Sequence, residues 1–576
     1  MNVINQSNRQ IMFLLGKNPF FKNKKYRLNK YCLIHEIENC KLILNEMTRA
    51  MISITNKELE RIYEFDKVYL DEDLEYVEYM IENYFLVQED YDETTITDWL
   101  RTKYRPIIDD NYLKEVYDFI LFPTTTCNAR CFYCYEKPMS KKPMKMEMAE
   151  TVVKYIMKKS KNKNKTISLR WFGGEPLFNM KIIRYMCKTL KENGYDISSS
   201  MISNGYLFDE EIIKEAIEEW KLNSIQITLD GTEDVYNKAK NYIYKNQDEI
   251  SPFKKVIDNI DKLTKNGVDV SIRMNADIYN CDDLKDLVKF LHTKFDGRKE
   301  LGCYVYPIFD DKENPRTEEQ KKQLFEKLWE VEEVMKECNF LNGNSEINDN
   351  IRSTHCMVDN GRTINIHPDG TLGLCEHYID SDIWGHIDEN GDEVIDNWDI
   401  IHEWRDYLND GLCKTCPIYP DCIKTRKCND LSTCDQYMQE FRIRHDKINM
   451  EAVFRKWLNN NCNNNSCSIT NDGFECASNE NDGTCYCVSQ RCEDKENWCY
   501  SVDKERGVNN SNNDGCYCVS QKCEDKENWC YCISQKEEVE GHKCNGGSCT
   551  CKKEEEKQEE QKVKKSLWEK IKDIFD

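Results

Sequence analysis

The sequence lacks a hydrophobic run long enough to cross a membrane. Its N-terminal apolar stretch, residues 11–15, is far too short, and it has neither the charged start nor the small-residue cleavage pattern of a secretory signal. Excess positive charge is also missing, since 81 Lys and Arg stand against 104 Asp and Glu, for a net charge of −23. We therefore expect a cytoplasmic protein whose partner is a peptide or a folded protein, with no nucleic acid and no membrane.

Cysteine, in contrast, is abundant. The chain has 31 cysteines in 576 residues. Disulfides are rare in a reducing cytosol, so ligation of a metal or a cluster is the leading explanation for so many thiols. The length exceeds what a single hydrophobic core supports and predicts several domains.

Composition and periodicity divide the chain into six parts and predict an α/β fold. Residues 1–115 read as a small α+β domain with helices at 56–63 and 71–85. Residues 116–312 alternate strands and helices, as in a parallel β/α sheet or a partial barrel. The remaining parts are a helical linker at 313–345, a cysteine-bearing domain at 346–450, a Cys-rich repeat tail at 459–555 and a charged amphipathic helix at 556–576.

Three cysteines follow the first strand of the β/α region. Cys127, Cys131 and Cys134 lie on one loop, and thiolates at this spacing suit an iron–sulfur cluster. Three ligands can hold a four-iron cluster while one iron stays open to a small molecule. The alternative is a zinc knuckle, for which a further Cys or His pair would be expected nearby.

The Cys-x3-Cys-x2-Cys arrangement, with an aromatic residue just before the last Cys, resembles the signature of the radical S-adenosylmethionine (AdoMet) superfamily. This resemblance implies a [4Fe-4S] cluster whose open iron chelates AdoMet, and a partial (β/α)6 TIM-like barrel. Tyr133 would then lie against the adenine.

Two later motifs recur in the order that the superfamily has. Gly173 and Gly174 let the backbone approach a ligand closely, and the Glu175 carboxylate can accept a hydrogen bond from an ammonium group. The resemblance implies that this stretch binds the AdoMet amino group, and that Ser203 and Asn204 contact the AdoMet ribose and carboxylate. Either motif taken alone is also compatible with an ordinary turn.

Two further strand ends carry charged residues. Asp230 and Arg273 lie where parallel β/α folds gather their functional groups. We predict Asp230 as a catalytic residue and Arg273 as a partner of a cofactor carboxylate. Relatives often have an Arg about ten residues after the Asp-Gly pair, whereas this chain has Lys240.

A second set of cysteines, with Gly370 between its first two members, resembles the SPASM domain of peptide-modifying radical AdoMet enzymes. The resemblance implies one or two auxiliary [4Fe-4S] clusters. Our assignment places Cys413, Cys416, Cys422 and Cys434 on one cluster and Cys356, Cys375 and Cys428 on the other. The spacing from Cys422 to Cys428 is longer than relatives commonly have, and zinc with nearby histidines such as His355, His367, His377 and His386 is the alternative.

The two ends of the chain suggest a peptide substrate. The N-terminal domain is compatible with a winged-helix-like domain that binds a precursor's leader as an added strand, or with a plain structural extension. In the tail, residues 485–499 recur almost unchanged at 516–530, a period of 31. This tail is either a metallothionein-like metal-binding segment or a substrate fused in cis.

Taken together, the motifs resemble the Cys-rich peptide radical AdoMet maturases. The resemblance implies reductive cleavage of AdoMet, with electrons from a ferredoxin or flavodoxin, and a 5′-deoxyadenosyl radical that removes hydrogen from a peptide carbon. We expect a thioether crosslink in a Cys-rich precursor supplied in trans, or in the chain's own tail. The alternatives are a sulfatase-maturing type of formylglycine formation and a non-catalytic metal-binding scaffold.

Overall fold

We describe a computed structural model of the chain. It describes residues 1–461 except 20, 22–23, 38–39, 65–74, 101–112, 137–139, 244–250, 309, 311–313, 342–345, 348–360, 379, 405–410 and 423–433. Beyond residue 461 it describes 467–470, 473–476, 520–522 and 529–531. The predicted C-terminal helix at 556–576 and most of the repeat tail therefore lie outside the described residues.

The N-terminal part forms a four-stranded sheet with strand order β1-β5-β4-β3 and a separate pair, β2 with β6. The strands are β1 (Asn2–Asn5), β2 (Tyr26–Leu28), β3 (Cys32–Ile37), β4 (Cys40–Asn45), β5 (Met51–Thr55) and β6 (Leu86–Gln88). The helices are α1 (Arg9–Leu15), α2 (Asn56–Glu64) and α3 (Glu75–Glu82). Both predicted helices of this part are present, and the described part of the second, Glu75–Glu82, lies within the predicted range 71–85.

The β/α region contains six parallel strands that are neighbours in chain order. They are β7 (Asp118–Thr124), β8 (Ile167–Gly173), β9 (Ile197–Ser203), β10 (Leu222–Thr228), β11 (Asp269–Ala276) and β12 (Leu301–Pro307). Along β9, residues alternate between buried and half-buried, so one face joins the core and the other lines an open space. The predicted succession of six β/α units is confirmed.

Helices separate these strands and pack over the sheet. They are α4 (Met146–Lys159), α5 (Met180–Glu192), α6 (Glu210–Glu218), α7 (Glu233–Lys240), α8 (Pro252–Lys265), α9 (Cys281–Phe295) and α10 (Glu318–Glu337). The last of them begins with a reciprocal capping box between Thr317 and Gln320. Their buried apolar residues join those of the sheet in the largest core of the molecule.

Four short strands extend the sheet beyond β7. Strand β13 (Thr363–Ile366) runs parallel to β7, and β14 (Thr371–Gly373), β15 (Gly385–Ile387) and β16 (Glu393–Ile395) follow in antiparallel order. Gly370, in the turn between β13 and β14, has φ +85°, and a Cβ there would lie 2.6 Å from the Met148 sulfur. Only glycine therefore fits this turn without a shift.

A long helix near the end of the first described region packs against two separate cores. After α11 (Trp398–Trp404) and α12 (Gly411–Thr415), helix α13 spans Gln436–Asn461. Met438 and Phe441, near its start, pack into the large core, whereas Met450 and Phe454 pack against the N-terminal sheet. Its apolar residues are thus divided between two cores rather than along one stripe.

The chain divides into two compact units, Met1–Tyr486 and Cys487–Asp576. The first also contains a hairpin of β17 (Cys467–Thr470) and β18 (Gly473–Cys476), and the second contains a hairpin of β19 (Ser520–Lys522) and β20 (Trp529–Tyr531). In the described residues, we find no helix with the length and apolar character that a bilayer span requires.

Candidate active site

The three cysteines of the first motif line one cavity. Cys127, Cys131 and Cys134 follow the carboxyl end of β7 and border a space of about 1150 Å³ on the inner face of the parallel strands. Functional groups gather at this end of parallel β/α folds because the strand ends and their loops meet there. The cysteine loop therefore lies where the fold places its chemistry.

Two glycines hold this loop close to the end of β8. The Gly174 N–H donates to the Thr124 carbonyl at 3.2 Å, and the Glu175 N–H donates to the Thr126 carbonyl at 3.0 Å. A Cβ on Gly173 would lie 2.3 Å from the Thr124 oxygen, and one on Gly174 would lie 2.6 Å from the Thr126 oxygen. A side chain at either position would push the cysteine loop away.

Glu175 is fully buried behind the cavity wall. Its carboxylate accepts hydrogen bonds from the Ser203 hydroxyl at 2.9 Å, from the Asn204 N–H at 2.9 Å and from the Leu177 N–H at 3.2 Å. Burial raises the pKa of Glu175 to about 7, although these donors act in the opposite direction. Glu175 thus ties the loop after β8 to the loop after β9.

Asn204 connects that carboxylate to the cysteine loop. Its side-chain amide donates to the Asn128 side-chain oxygen at 2.7 Å and lies 3.9 Å from the Cys127 sulfur. Burial raises the pKa of the Cys127 thiol to about 12, with Glu175 adding to the shift. The free thiol is therefore favoured over the thiolate, but a bound metal cluster would reverse this, since metal coordination deprotonates a thiol.

A buried triad closes the other side of the cavity. Tyr133 donates a short hydrogen bond to Asp230, and the Lys240 ammonium lies 2.8 Å from the Tyr133 hydroxyl and 3.0 Å from the Asp230 carboxylate. Burial alone would lower the pKa of Lys240, but Asp230 and Tyr133 raise it above its usual value. The ammonium is therefore charged and paired, as a buried cation requires.

Asparagines hold the remaining side of Asp230. Asn275 donates to its carboxylate through both its backbone N–H at 3.2 Å and its side chain at 3.1 Å, while Asn280 donates to the Asp230 carbonyl at 2.9 Å. The Arg273 Nε donates to the Asn275 side-chain oxygen at 2.9 Å. Asp230 thus joins the ends of β10 and β11 to the cysteine loop.

The residues predicted from the first motifs come together in space. Those that line the cavity are Cys127, Cys131, Tyr133, Cys134, Gly173, Gly174, Ser203, Asn204 and Arg273. Glu175 and Asp230 do not line it but lie fully buried in its wall. Their predicted roles stay predictions, and in this structure both carboxylates bind groups of the protein.

Four cysteines of the second set form another group. Cys416 is buried. Burial raises the pKa of its thiol to about 12, and the nearby Cys422, Cys434 and Cys413 add to this shift. The Arg442 guanidinium lies 4.0 Å from the Cys422 sulfur. Cys375 lies elsewhere, half-buried against the large core, and Cys356 and Cys428 lie outside the described residues.

Within the described part of the chain, no three or more His, Cys, Asp or Glu side chains converge as ligands of a single metal ion. A four-iron cluster imposes a different geometry, because each thiolate binds a different iron atom. The donor set of three thiols on one loop, together with the close backbone approach at Gly173 and Gly174, fits such a cluster with AdoMet beside it.

Several cavity residues were not predicted. Glu136, Arg170 and Glu376 line the same space, and so does His377, which the sequence suggested only as a zinc ligand of the second cysteine set. Lys240 pairs with Asp230 rather than standing alone. Arg170 could have been found from the sequence, because it alternates with buried residues along β8 and so faces the side opposite the core. The turn containing Glu376 and His377 offers no such signal, since its position depends on β13 and β14.

Residues 121–291 match the Radical SAM superfamily. This part of the chain is a radical SAM domain, and the superfamily implies a [4Fe-4S] cluster and AdoMet as its cofactors. The resemblance of the cysteine triad to the radical AdoMet superfamily is confirmed.

Particular proteins resemble parts of the chain. A probable GTP 3′,8-cyclase of Methanococcus maripaludis (strain C6) is 27% identical over 131 residues, which are 23% of this chain and 42% of that protein. The chain thus spans about two fifths of the length of this curated relative.

Among solved structures, anSMEcpe with bound AdoMet and Kp18Cys peptide has a TM-score of 0.43 at 17% identity, covering 59% of this chain and 98% of that one. Streptococcus suis SuiB bound to S-adenosylmethionine has a TM-score of 0.39 at 12% identity, covering 72% and 97%.

Proposed function

We propose that this chain is a radical AdoMet enzyme that modifies a Cys-rich peptide by forming a thioether between a cysteine sulfur and a carbon atom. The observation that carries the proposal is the convergence of three cysteines, two glycines, Ser203 and Asn204 on one cavity. A cavity of about 1150 Å³ exceeds what one small cofactor needs and leaves room for a peptide segment.

The residues around the cavity have distinct roles in this proposal. Cys127, Cys131 and Cys134 hold the cluster, and Gly173 and Gly174 admit the AdoMet amino group to the backbone. Ser203 and Asn204, oriented by Glu175, bind the ribose and carboxylate. Tyr133 is fixed at its hydroxyl by Asp230 and Lys240, which orients its ring beside the cofactor.

When bound, AdoMet and its cluster supply the radical that removes hydrogen from a peptide carbon, and an auxiliary cluster supplies the electron acceptor for sulfur–carbon bond formation. The grouping of Cys413, Cys416, Cys422 and Cys434 supports their assignment to such a cluster. Over the whole reaction, one C–H bond and one S–H bond of the peptide break and one S–C bond forms. The hydrogen atom from carbon would pass to the 5′-deoxyadenosyl radical, the proton from sulfur to solvent and one electron to the auxiliary cluster.

The N-terminal sheet supports a role in peptide recognition. Strand β3 lies at the end of the sheet, pairs with β4 and has no described strand on its other side. An edge strand offers free backbone groups to an extended peptide. In this proposal the leader of the precursor adds to β3, while its Cys-rich part reaches the cavity.

The first experiment is anaerobic reconstitution, followed by iron and sulfide analysis and detection of 5′-deoxyadenosine from AdoMet and a reductant. Wild type is compared with the triple variant C127A/C131A/C134A and with Cys338→Ser, a matched control at the end of α10 outside the cavity. We expect about eight to twelve irons in wild type and loss of AdoMet cleavage in the triple variant alone.

Mass spectrometry of the tail and of added precursor peptides then identifies the product. A thioether lacks two hydrogens and has lost a free thiol, whereas formylglycine formation converts the cysteine side chain to an aldehyde. Zinc in place of iron, with no AdoMet cleavage, would contradict the proposal.

A further inference from the structure

The inner face of the parallel sheet is polar along most of its length. Strand register places Arg170 beside Ser200, Gln226 beside Ser271, and Thr228 beside Arg273, and all six residues line the cavity. Apolar side chains of the same strands point the other way into the core. The cavity wall is therefore built for hydrogen bonds and charge rather than for an apolar ligand.

Among the described residues that line the cavity, cationic side chains outnumber carboxylates, although the chain as a whole carries −23. Glu175 and Asp230 lie buried behind this lining, and Asp230 is paired with Lys240. Four carboxylates line the cavity against six cationic side chains, which are Arg130, Lys141, Arg170, Lys240, Arg273 and Lys299. Cations gathered on the wall of a cavity in an acidic protein favour an anionic ligand segment there.

Most of these cations already have partners. Lys240 is paired with Asp230 at 3.0 Å, the Arg130 guanidinium donates to the Cys127 and Ala129 carbonyls at 2.7 Å, and Lys141 donates to the Glu136 carbonyl at 2.8 Å. Lys299 is at the rim, 90% exposed. Arg170 and Arg273 remain as the cations that face the interior without an ion pair to a described carboxylate.

The two arginines differ in how they are held. Arg273 donates to Asn275 and lies 5.4 Å from the centre of the Tyr306 ring, so its position is set before any ligand binds. Arg170 makes no hydrogen bond or ion pair with a described residue, and its side chain is exposed to the cavity. Its guanidinium thus keeps its full capacity for a carboxylate.

Glu376 faces the same part of the cavity from the turn after β14. One of its carboxyl oxygens is buried and has no hydrogen-bond partner among the described residues. Arg170 on β8, together with Ser200 beside it on β9, is here called the arginine subsite.

We propose that the arginine subsite binds an acidic side chain of the substrate peptide, through charge-assisted hydrogen bonds from Arg170. The proposal rests on the proposed function, because it requires that a peptide enters this cavity. It makes Arg170 a specificity-determining residue that selects peptides with a carboxylate near the cysteine to be modified.

The chain itself contains peptide segments of this kind. Each tail repeat has Glu-Asp directly after a cysteine, Glu493 and Asp494 after Cys492, and Glu524 and Asp525 after Cys523. A separate acidic, Cys-rich precursor would present the same chemistry. The ligand is therefore a carboxylate beside cysteine on a peptide, and its two sources can be told apart by experiment.

The test is anaerobic binding of a fluorescent peptide with the sequence of residues 488–499 to the reconstituted full-length chain with AdoMet, followed by anisotropy. A neutral peptide carries Glu493→Gln, Asp494→Asn and Glu496→Gln. We expect about tenfold weaker binding of the neutral peptide to wild type, the size of one charge-assisted contact.

Variants of the protein test whether Arg170 makes the contact with the acidic peptide. Arg170→Gln should bind the acidic peptide as weakly as the neutral one and leave the neutral peptide unaffected, whereas Arg170→Lys should fall between. Lys188→Gln, an exposed lysine on α5 outside the cavity, makes the same change in net charge and should alter neither affinity. This control separates a local contact from general electrostatic attraction.

The source of the ligand is tested by neutralising Glu493, Asp494, Glu524 and Asp525 in the full chain. Tighter binding of the added acidic peptide would show that the tail competes in cis, and unchanged binding would indicate a separate precursor.

Equal affinity of wild type for the acidic and neutral peptides, or equal losses of both in Arg170→Gln, would overturn the inference. Measurement of 5′-deoxyadenosine in the same samples keeps this outcome distinct from failure of the proposed function, which would appear as absence of AdoMet cleavage.

Discussion

The two cysteine groups of this protein are held in different ways. Cys127, Cys131 and Cys134 lie on one loop at the end of β7, and the groups that fix this loop come from the ends of β8, β9 and β10. All of these belong to one sheet with one core. The position of the first group follows from the local order of strands and turns.

The second group depends on parts that are far apart in the chain. Cys416 and Tyr419 pack with Leu42 and Met51 of the N-terminal sheet and with Phe454 of α13. Arg49, buried near Glu46, lies 3.5 Å from the Asp421 carboxylate. The comparison teaches that one group is built into a sheet, whereas the other is assembled where an N-terminal sheet meets a C-terminal helix.

The largest expected effect tests the first group. Gly174→Ala would place a Cβ 2.6 Å from the Thr125 and Thr126 oxygens, so the cysteine loop must move. We expect complete loss of 5′-deoxyadenosine formation and a loss of folding stability of about 1–3 kcal/mol.

The matched control is Gly267→Ala, where φ is +79° but nothing lies within 4 Å. Its backbone strain should cost about 1 kcal/mol and leave AdoMet cleavage intact. Full activity in Gly174→Ala would show that the cysteine loop tolerates displacement, and that AdoMet cleavage does not need the close backbone approach at Gly174.

The next prediction addresses the second group. Phe454 is 1% exposed and packs beside Cys416 and Tyr419, so Phe454→Ala should cost about 3–5 kcal/mol in urea unfolding. If the groups are independent, the variant loses part of its iron but still cleaves AdoMet. Phe13→Ala, at a side chain that is 74% exposed, is the control and should change neither quantity. Loss of all iron would show that the two groups are coupled.

Much of the first region could be predicted from the sequence. The alternation of strands and helices over residues 116–312 predicted the parallel β/α arrangement, and Gly173 and Gly174 marked the turn that brings the backbone close to a ligand. Lys240 shows the limit of such reasoning. Its place beside Asp230 depends on how α7 returns to the cysteine loop, where the Arg130 N–H donates to the Lys240 carbonyl at 2.8 Å.

The second region was harder to predict because its contacts are distant in sequence. Helix α13 serves two cores, so its apolar residues show no single stripe and periodicity does not reveal it. The spacing of Cys413, Cys416 and Cys422 predicted a shared site, yet nothing in the sequence indicated that Leu42 and Met51 would pack against it. Our domain limits and auxiliary-cluster ligands stay predictions.

A third prediction concerns pH and the junction between the two regions. His367 lies at the end of β13 with 1% exposure, its Nδ1 is 3.1 Å from the Thr371 hydroxyl, and its ring packs edge-on against Phe122 of β7. Burial lowers its pKa to about 4 from 6.5, an effect that Asp369 and Asp380 oppose and Lys142 reinforces.

Because the unfolded chain takes up this proton first, the native state loses stability as pH falls from 6.5 to 4. The loss is about 1 kcal/mol by pH 5.5 and about 3 kcal/mol in full. His367→Asn removes the titration, so the unfolding free energies of wild type and variant should diverge by about 1 kcal/mol between pH 7.5 and 5.5. A constant difference across this range would mean that folding does not shift the pKa of His367.

The smallest expected effect comes from an exposed contact across the same junction. Lys142, just after the cysteine loop, lies 2.9 Å from Asp369 and 3.9 Å from Asp380 in the turns beside β14, and all three side chains are about half exposed. Exposed ion pairs contribute about 0–1 kcal/mol and are screened by salt. A double-mutant cycle with Lys142→Met and Asp369→Asn should therefore give a coupling energy below about 1 kcal/mol that shrinks in high salt. A larger, salt-independent coupling would show that the cysteine loop and the β13–β14 turn form one structural unit. The first cysteine group would then also depend on residues distant in sequence, as the second does.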